Sequence, residues 1–156
     1  MNITGNTIFI PGGTSGIGLG LALRFHAAGN TVIIAGRRTE LLDQIAAEHP
    51  GIEGIHLDVT DPVSIQAAAK DVQARFPATN VLINMAGIML PEDFHTGAYL
   101  ETAEAIVTTN LLGPLRLIAA FTEFLAGQDD ATIMNVSSGL AFVPLPMTPT
   151  YSATKA

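Results

Sequence analysis

The sequence predicts an α/β domain in which helices cover both faces of a parallel sheet. Short runs rich in Ile and Val alternate with longer segments of helical periodicity, and most of the short runs are apolar at consecutive positions. Strands that are buried on both faces show this continuous pattern. Alternating strands and helices form βαβ units with right-handed crossovers. A length of 156 residues suits one domain, so residues 1–156 are expected to form a single domain.

Five apolar runs are predicted to be the strands of this sheet. Each run is short and is bounded by Gly, Pro, Asn or Asp, which are residues typical of turns. In chain order, these runs are residues 7–10, 31–35, 52–57, 80–84 and 132–136.

Four longer segments are predicted to be helices. Gly29 ends the first of them, and Asp61 followed by Pro62 is a typical helix start. In the fourth segment, Pro114 after Gly113 predicts a kink or break. The predicted helices are residues 16–28, 39–48, 62–76 and 100–125.

The charge and residue composition argue against several classes of function. Seven Lys and Arg residues against 14 Asp and Glu residues give a net charge of −7, whereas nucleic-acid and anionic-membrane binders usually present a basic face. There is no Cys for a disulfide or thiol nucleophile, and the four His residues lack metal-ligand spacing. The N-terminus does not resemble a signal peptide, and no apolar run reaches the roughly 18 residues of a membrane span. We therefore expect a cytoplasmic protein with no metal, nucleic-acid or membrane partner.

The low content of charged residues predicts that part of the apolar surface is covered. Charged residues make up 13% of the chain, against about 25% in ordinary soluble domains. A partner subunit or further chain would provide that cover. Residues 151–156 have the character of a first helical turn, and strand 132–136 would form an open apolar edge. These two features predict a domain truncated at its C-terminus.

A glycine-rich turn follows the first strand and leads into the first helix. Glycines let a phosphate approach the backbone closely, and a helix N-terminus offers free N–H groups. The sequence therefore predicts a Rossmann-type nucleotide site, although a tight turn without a ligand remains the alternative. Its predicted ligand-binding residues are Gly12, Thr14, Ser15, Gly16, Ile17 and Gly18.

The end of the second strand indicates which nucleotide is preferred. An acid that would bind the ribose 2′-hydroxyl is absent there, and Arg37 and Arg38 follow instead. Because guanidinium groups suit a phosphate, NADP(H) is favoured and NAD(H) remains possible. The alternative is that one arginine, Arg38 more readily than Arg37, is only a solvated surface charge.

Tyr151 and Lys155 are candidates for acid–base chemistry. They are four residues apart and would share one helix face, where the lysine ammonium would favour the tyrosine phenolate. Ser137 and Ser138 follow the fifth strand, where a hydroxyl can bind a substrate carbonyl. Each feature alone has a structural alternative: an exposed helix pair, a turn or helix cap and, for Asn110, a buried structural amide.

Taken together and in order, these motifs resemble the short-chain dehydrogenase/reductase family. Ser138 and Tyr151 lie 13 positions apart, the usual interval in that family. The stretch 138–142 and the Arg37-Arg38 pair are similar to the DltE-like branch of oxidoreductases. The matching motifs are Gly12-x-x-x-Gly16-Ile17-Gly18, Asp58-Val59, Asn84-Met85-Ala86-Gly87, Asn110, Asn135-Val136-Ser137-Ser138 and Tyr151-x-x-x-Lys155.

The resemblance implies an NADP(H)-dependent enzyme that reduces a carbonyl or oxidises an alcohol, on a sheet of strand order 3-2-1-4-5 whose later strands are missing. Tyr151 would exchange a proton with the substrate oxygen, and Lys155 would assist it and bind the nicotinamide ribose. Ser138 would orient the carbonyl, and Asn110 would hold a water linked to Lys155. The family also implies a homodimer or homotetramer. Its other implied nucleotide contacts are Asp58, Val59, Asn84, Ala86 and Gly87.

Some features depart from the family pattern and leave alternatives open. Pro11 stands where Thr is usual and loses an N–H, and Met85 replaces an Asn. The missing later segments favour a non-catalytic nucleotide-binding domain or an inactive fragment as the second hypothesis, with weak NADPH binding and little turnover. An epimerase or dehydratase is a third. Residues 142–147 are expected to form an apolar wall for the substrate, or else a plain surface loop.

Overall fold

The computed structural model, which describes residues 2–95, 97 and 99–156, contains one parallel five-stranded sheet. The strand order is β3-β2-β1-β4-β5, which confirms the predicted order. All five predicted strands are present, and each differs from its prediction by one residue at one end. The strands are β1 Thr7–Pro11, β2 Thr31–Gly36, β3 Ile52–His56, β4 Val81–Asn84 and β5 Thr132–Asn135.

Helices connect the strands as predicted. The predicted kink or break in the fourth segment takes the form of a break, in which two α-helices are joined through a π-helical segment, Thr108–Leu112. Pro114 lies in the first turn after this segment, where its missing N–H costs little. A short 3₁₀ turn, Gly139–Ala141, follows β5. The helices are α1 Gly16–Ala27, α2 Thr39–Glu48, α3 Pro62–Arg75, α4 Tyr99–Val107, α5 Gly113–Ala126 and α6 Pro149–Lys155.

The sheet separates two hydrophobic cores. On one face, Phe9 of β1 stacks on Phe121 of α5 with ring centroids 5.3 Å apart, and residues of α3 complete this cluster. On the other face, Ile8 and Ile10 pack with residues of α1 and α2. Successive residues of β1 thus enter opposite cores, which explains why the central strands have continuous apolar sequences.

Pro11 shortens the pairing between β1 and β4. The β1–β2 ladder extends from Thr7 to Pro11, whereas the β1–β4 ladder is formed at Ile8 and Phe9. Pro11 accepts a hydrogen bond from Met85 N at 3.2 Å but has no N–H to donate in return. One hydrogen bond therefore still joins the two segments at the point where the glycine turn begins.

The helical run Tyr99–Ala126 is 28 residues long and is apolar enough to cross a membrane by length and composition. The sequence predicted no membrane span here, because four charged residues interrupt this segment: Glu101, Glu104, Arg116 and Glu123. In the structure, Ile106, Leu117 and Phe121 of this run are buried, the last two in the core described above. A core helix of a soluble domain meets the same criteria, so this feature is weak support for a membrane span.

Candidate active site

A cavity of about 1120 Å³ lies at the carboxyl ends of the strands, where open α/β sheets bind ligands. The turns that follow β1, β2, β3, β4 and β5 all contribute to its lining, together with α6. It brings together fourteen of the predicted site residues: Gly12, Thr14, Ser15, Ile17, Gly18, Arg37, Arg38, Asp58, Val59, Ala86, Gly87, Ser138, Tyr151 and Lys155.

Three predicted site residues do not line this cavity. Gly16 is the first residue of α1 and has a φ of +52°. Asn84 and Asn110 instead line a smaller cavity of about 310 Å³, which Lys155 also lines. Lys155 and Ala86 therefore line both cavities, whereas Asn84 and Asn110 line only the smaller one.

Glycine is required at two positions of the turn after β1. Gly12 has a φ of +87°, and a Cβ there would lie 2.6 Å from the backbone N of Ala86. A Cβ on Gly18 would collide with the carbonyl oxygen of Gly12. The turn therefore packs directly on the chain after β4. At the helix start, Ser15 makes no side-chain capping bond, so first-turn N–H groups remain available to an anion.

Arg37 and Arg38 lie at the cavity edge with their side chains exposed. Within residues 2–95, 97 and 99–156, neither guanidinium forms a hydrogen bond or an ion pair. Both groups are therefore free to bind an anion from solvent. No carboxylate follows β2 directly, as the sequence indicated.

Asp58 follows β3 and faces the same part of the cavity. Burial acts to raise the pKa of its carboxyl group, but hydrogen bonds from the Thr60 hydroxyl and backbone N–H, and the charge of Arg37, together lower it below the usual value. Both Thr60 bonds reach the same oxygen, Oδ1, at 2.7 and 2.9 Å. Asp58 is therefore held as a carboxylate, and its Oδ2 accepts no hydrogen bond in the described part of the chain.

Tyr151 and Lys155 lie on one face of α6, as the four-residue spacing predicted. The Lys155 Nζ lies 5.9 Å from the centroid of the Tyr151 ring and donates a hydrogen bond to the Val136 carbonyl at 2.9 Å. Partial burial lowers the pKa of the Lys155 ammonium below 10.5. An ammonium held this close to the phenol ring can support proton exchange at the hydroxyl.

Ser138 lines the cavity together with Tyr151 and Lys155. Its Oγ accepts a hydrogen bond from Leu140 N at 3.2 Å and so caps the 3₁₀ turn. Ser138 therefore has the structural role of a cap that the sequence left open as an alternative. In this role the hydroxyl oxygen acts only as an acceptor. The hydroxyl proton remains free to be donated to a ligand oxygen.

Asn110 lies in the π-helical segment and is buried. Its Oδ1 accepts from Ile88 N at 2.8 Å, and its Nδ2 donates to Ile88 O at 2.8 Å and to Thr154 Oγ1 at 3.2 Å. The amide thus joins the chain after β4 to α6. The predicted water beside Asn110 stays a prediction.

Asn84 lies at the end of β4, and its Nδ2 donates to Asn135 Oδ1 of the neighbouring strand at 2.8 Å. Its Oδ1 is buried without a hydrogen-bond partner among the described residues. This contact lies away from the larger cavity, so the predicted nucleotide contact of Asn84 stays a prediction.

The segment 142–147 lines neither of these two cavities. Phe142, Val143 and Met147 are 85, 73 and 67% exposed. The predicted apolar wall is not formed here, and the alternative of a surface loop describes this segment. A hydrogen bond from Thr148 N to the Leu145 carbonyl at 3.1 Å closes a turn at the end of this loop.

Three groups hold the site together through contacts that were not predicted. The Val136 carbonyl fixes Lys155, the Thr154 hydroxyl meets Asn110, and Ser137 Oγ donates to the Lys155 carbonyl at 2.6 Å. The motif spacing included Ser137 and Val136, but a backbone carbonyl has no sequence signal. Thr154 lies beside Lys155, and only the fold shows which amide it faces.

Comparison with known families identifies the class of protein to which this fold and cavity belong. A profile of the family described as short chain dehydrogenase matches residues 6–156. The chain therefore belongs to the short-chain dehydrogenase family, whose members are oxidoreductases that use NAD(H) or NADP(H).

Individual relatives support the same assignment. The chain is 40% identical over its whole length to the "Uncharacterized oxidoreductase DltE" of Bacillus subtilis (strain 168), which confirms the resemblance to that branch. It is 33% identical, over 96% of its length, to a sulfoacetaldehyde reductase of Chromohalobacter salexigens. The solved structure of a serine dehydrogenase from Escherichia coli has a TM-score of 0.88 and 27% identity, over 96% of this chain and 69% of that chain.

The chain spans 62% of the length of the DltE protein and 60% of the length of the sulfoacetaldehyde reductase.

Proposed function

We propose that the protein is an NADP(H)-dependent oxidoreductase that reduces a carbonyl group or oxidises an alcohol. The observation that carries this proposal is that Tyr151, Lys155 and Ser138 line the same cavity as the glycine turn and the Arg37–Arg38 pair. Groups suited to proton exchange and groups suited to a phosphorylated nucleotide are thus within reach of one elongated ligand.

The lining of the cavity fits a phosphorylated dinucleotide. The open helix start at Ser15 and Gly16 suits the pyrophosphate, because its N–H groups and the helix dipole both favour an anion. Arg37 and Arg38 suit a 2′-phosphate, since their guanidinium groups are exposed. The free oxygen of the Asp58 carboxylate suits the amino group of an adenine.

Bound NADPH would supply the hydride from its nicotinamide ring to the substrate carbon. The Tyr151 hydroxyl would donate a proton to the carbonyl oxygen, and the Lys155 ammonium would stabilise the phenolate that remains. Ser138 would donate its free hydroxyl proton to the same oxygen as charge develops there. Asn110 would hold the water through which Lys155 reaches solvent. In the direction of alcohol oxidation, the tyrosine removes the proton instead.

The second candidate function is nucleotide binding without turnover. It is favoured by the structural contacts of the candidate groups, because Ser138 Oγ caps the 3₁₀ turn and the Lys155 ammonium is already bonded to the Val136 carbonyl. In this case the glycine turn and the arginine pair keep their roles, and Tyr151 and Lys155 contribute only structure.

The test is to measure binding and turnover separately on the full protein. NADPH and NADH are titrated by fluorescence, and NADPH oxidation is then followed with a panel of aldehydes and ketones that includes benzaldehyde. The proposal predicts tighter binding of NADPH than of NADH, with oxidation that depends on the added carbonyl. NADPH binding without any carbonyl-dependent oxidation supports the second candidate. Equal or weaker binding of NADPH contradicts the cofactor preference.

We also propose a cytoplasmic homodimer or homotetramer that acts on a small carbonyl or alcohol. The exposed side chains of Leu111, Leu112 and Leu115 support self-association, because they form an apolar patch on the long helix. The edge strand β5 adds exposed Ile133 and Met134. Sedimentation tests this proposal, and a monomer at high concentration contradicts it.

A further inference from the structure

Glu92 is a buried carboxylate outside both cavities. It lies in the chain between β4 and α4 and is only 8% exposed. Glutamate is rarely buried unless its charge is compensated. Burying a neutral polar group without a hydrogen bond costs about 2–7 kcal/mol, and burying an unpaired carboxylate costs more. The hydrogen-bond partners of Glu92 therefore indicate why this carboxylate is buried.

Both oxygens of the Glu92 carboxylate contact Thr150. Oε2 accepts from the Thr150 backbone N at 2.8 Å, and Oε1 accepts from the Thr150 hydroxyl at 2.6 Å. The Glu92 backbone N also donates to the Met147 carbonyl at 2.9 Å. Bonds to an ionised acceptor are shorter and stronger than neutral ones. Glu92 thus holds the chain on both sides of the start of α6, from 58 residues away.

The start of α6 lacks the local cap that such a helix usually has. Thr148 is the N-cap residue, but its side chain makes no capping bond, and its Oγ1 is buried without a partner in the described part of the chain. Pro149 has no N–H to satisfy, so the first N–H of α6 that needs an acceptor is that of Thr150. The Glu92 carboxylate occupies the place of the missing capping oxygen.

We propose that Glu92 is a positioning residue for Tyr151, acting through Thr150. This inference rests on the proposed function, because the position of the Tyr151 hydroxyl matters for turnover only if Tyr151 exchanges the proton. Thr150 directly precedes Tyr151, and Ser138 is reached from a different element, the end of β5. A shift of the first turn of α6 therefore changes where the tyrosine hydroxyl lies relative to the serine. Displacements of about 1 Å in a reacting group can cost on the order of 100-fold in rate.

The kinetic test compares Glu92→Ala, Glu92→Gln and Asp43→Ala in the full protein, with NADPH and benzaldehyde as the probe. Asp43 is an exposed carboxylate on α2 that lines neither cavity, so it is a matched control. We expect Glu92→Ala to lower kcat by about tenfold or more, with KM and NADPH affinity changed by less than about twofold. Glu92→Gln keeps one acceptor oxygen and should recover most of the loss.

Hydrogen exchange measures the contact without a substrate. In Glu92→Ala, the amides of residues 150–153 should exchange about fivefold faster or more, which corresponds to the loss of a typical helix cap, while those of β1 and β4 stay protected. Unchanged exchange in α6 overturns the proposal. Faster exchange with a normal kcat also overturns it, because the contact would then be only structural.

The two proposals fail in different ways. If the wild-type protein binds NADPH but oxidises it with no carbonyl of the panel, the proposed function fails, and the role of Glu92 fails with it. If the wild type is active and Glu92→Ala has a normal kcat, only the role of Glu92 is wrong. A parallel loss in kcat, NADPH affinity and protection of β1 indicates general unfolding and also contradicts a positioning role.

Discussion

The Lys155 ammonium is hydrogen-bonded to the Val136 carbonyl at 2.9 Å, so the end of β5 fixes the side chain on which the proposed chemistry depends. Val136 is separated from Ser138 by a single residue. The same turn of chain therefore sets both the lysine on α6 and the serine that faces the cavity. This contact links the sheet to the Tyr151 helix at its C-terminal end, and Glu92 holds the same helix at its start.

The burial of Lys155 predicts a pH-dependent effect on stability. Its pKa is lowered below 10.5 in the folded protein, so in the pH range between the folded value and 10.5 the unfolded chain binds more protons. The wild type should therefore gain stability relative to Lys155→Met as the pH rises through this range. At neutral pH the buried charge opposes folding, and Met avoids that cost while losing the Val136 bond.

Urea unfolding at a series of pH values measures this effect. The free energy of unfolding of Lys155→Met minus that of the wild type should decrease from neutral pH towards 10.5. Lys70→Met is the control, because Lys70 is exposed on α3. A difference for Lys155→Met that is flat or increases with pH contradicts the account.

The arginine pair predicts cofactor preference. The double variant Arg37→Ala and Arg38→Ala removes both exposed guanidinium groups from the cavity edge. The KM for NADPH should rise about 10- to 100-fold, because bonds to a charged group are worth roughly 1.5–3 kcal/mol, while the KM for NADH should change by less than about threefold. Steady-state kinetics with both nucleotides provide the measurement.

The single variants Arg37→Ala and Arg38→Ala show which arginine contributes to NADPH binding. They are needed because one arginine, Arg38 more readily than Arg37, has the alternative of being only a solvated surface charge. Arg24→Ala is the control, because Arg24 is exposed on α1 and lines neither cavity. Equal losses with NADPH and NADH in the double variant would show that neither arginine recognises the 2′-phosphate.

Two glycines of α1 predict opposite effects of the same substitution. A Cβ at Gly18 meets the Gly12 carbonyl and lies 3.0 Å from the Met85 Cγ, whereas a Cβ at Gly20 meets no heavy atom within 4 Å. Gly18→Ala should destabilise the protein by roughly 1–3 kcal/mol through overpacking. Gly20→Ala should stabilise it by about 0.4–1 kcal/mol, because it restricts the unfolded chain. Urea unfolding compares the two, and a similar stability of both variants would show that the close turn is not required.

Most of the fold was predictable because its signals are local. Buried parallel strands such as β2 are apolar at consecutive positions, and the Asp61 cap is visible in a dipeptide, with its Oδ1 bound to Val63 N at 2.8 Å. The site motifs follow the same logic, since each one lies at a strand end or on one helix face. The topology then brings them to one edge of the sheet.

The remaining features depend on contacts between distant segments. No pattern in the sequence pairs Glu92 with Thr150, or the Asn110 amide with the Ile88 peptide, because these contacts depend on how loops return over the sheet. The sequence predicted a kink or break near Pro114 but not the π-helical segment itself, because a proline indicates an irregularity and not its form. The segment 142–147 has an apolar sequence, but its exposure to solvent is set by the fold.

The central claim is that the Tyr151 hydroxyl exchanges the proton in a carbonyl reduction that uses NADPH. Tyr151→Phe removes that hydroxyl alone, and Tyr99→Phe is the matched control at the other tyrosine of the chain, which lines neither cavity. In the full protein, Tyr151→Phe should lower carbonyl-dependent NADPH oxidation by about 10²- to 10⁴-fold with NADPH affinity within about twofold, and Tyr99→Phe should keep wild-type turnover. Wild-type turnover by Tyr151→Phe would contradict the account.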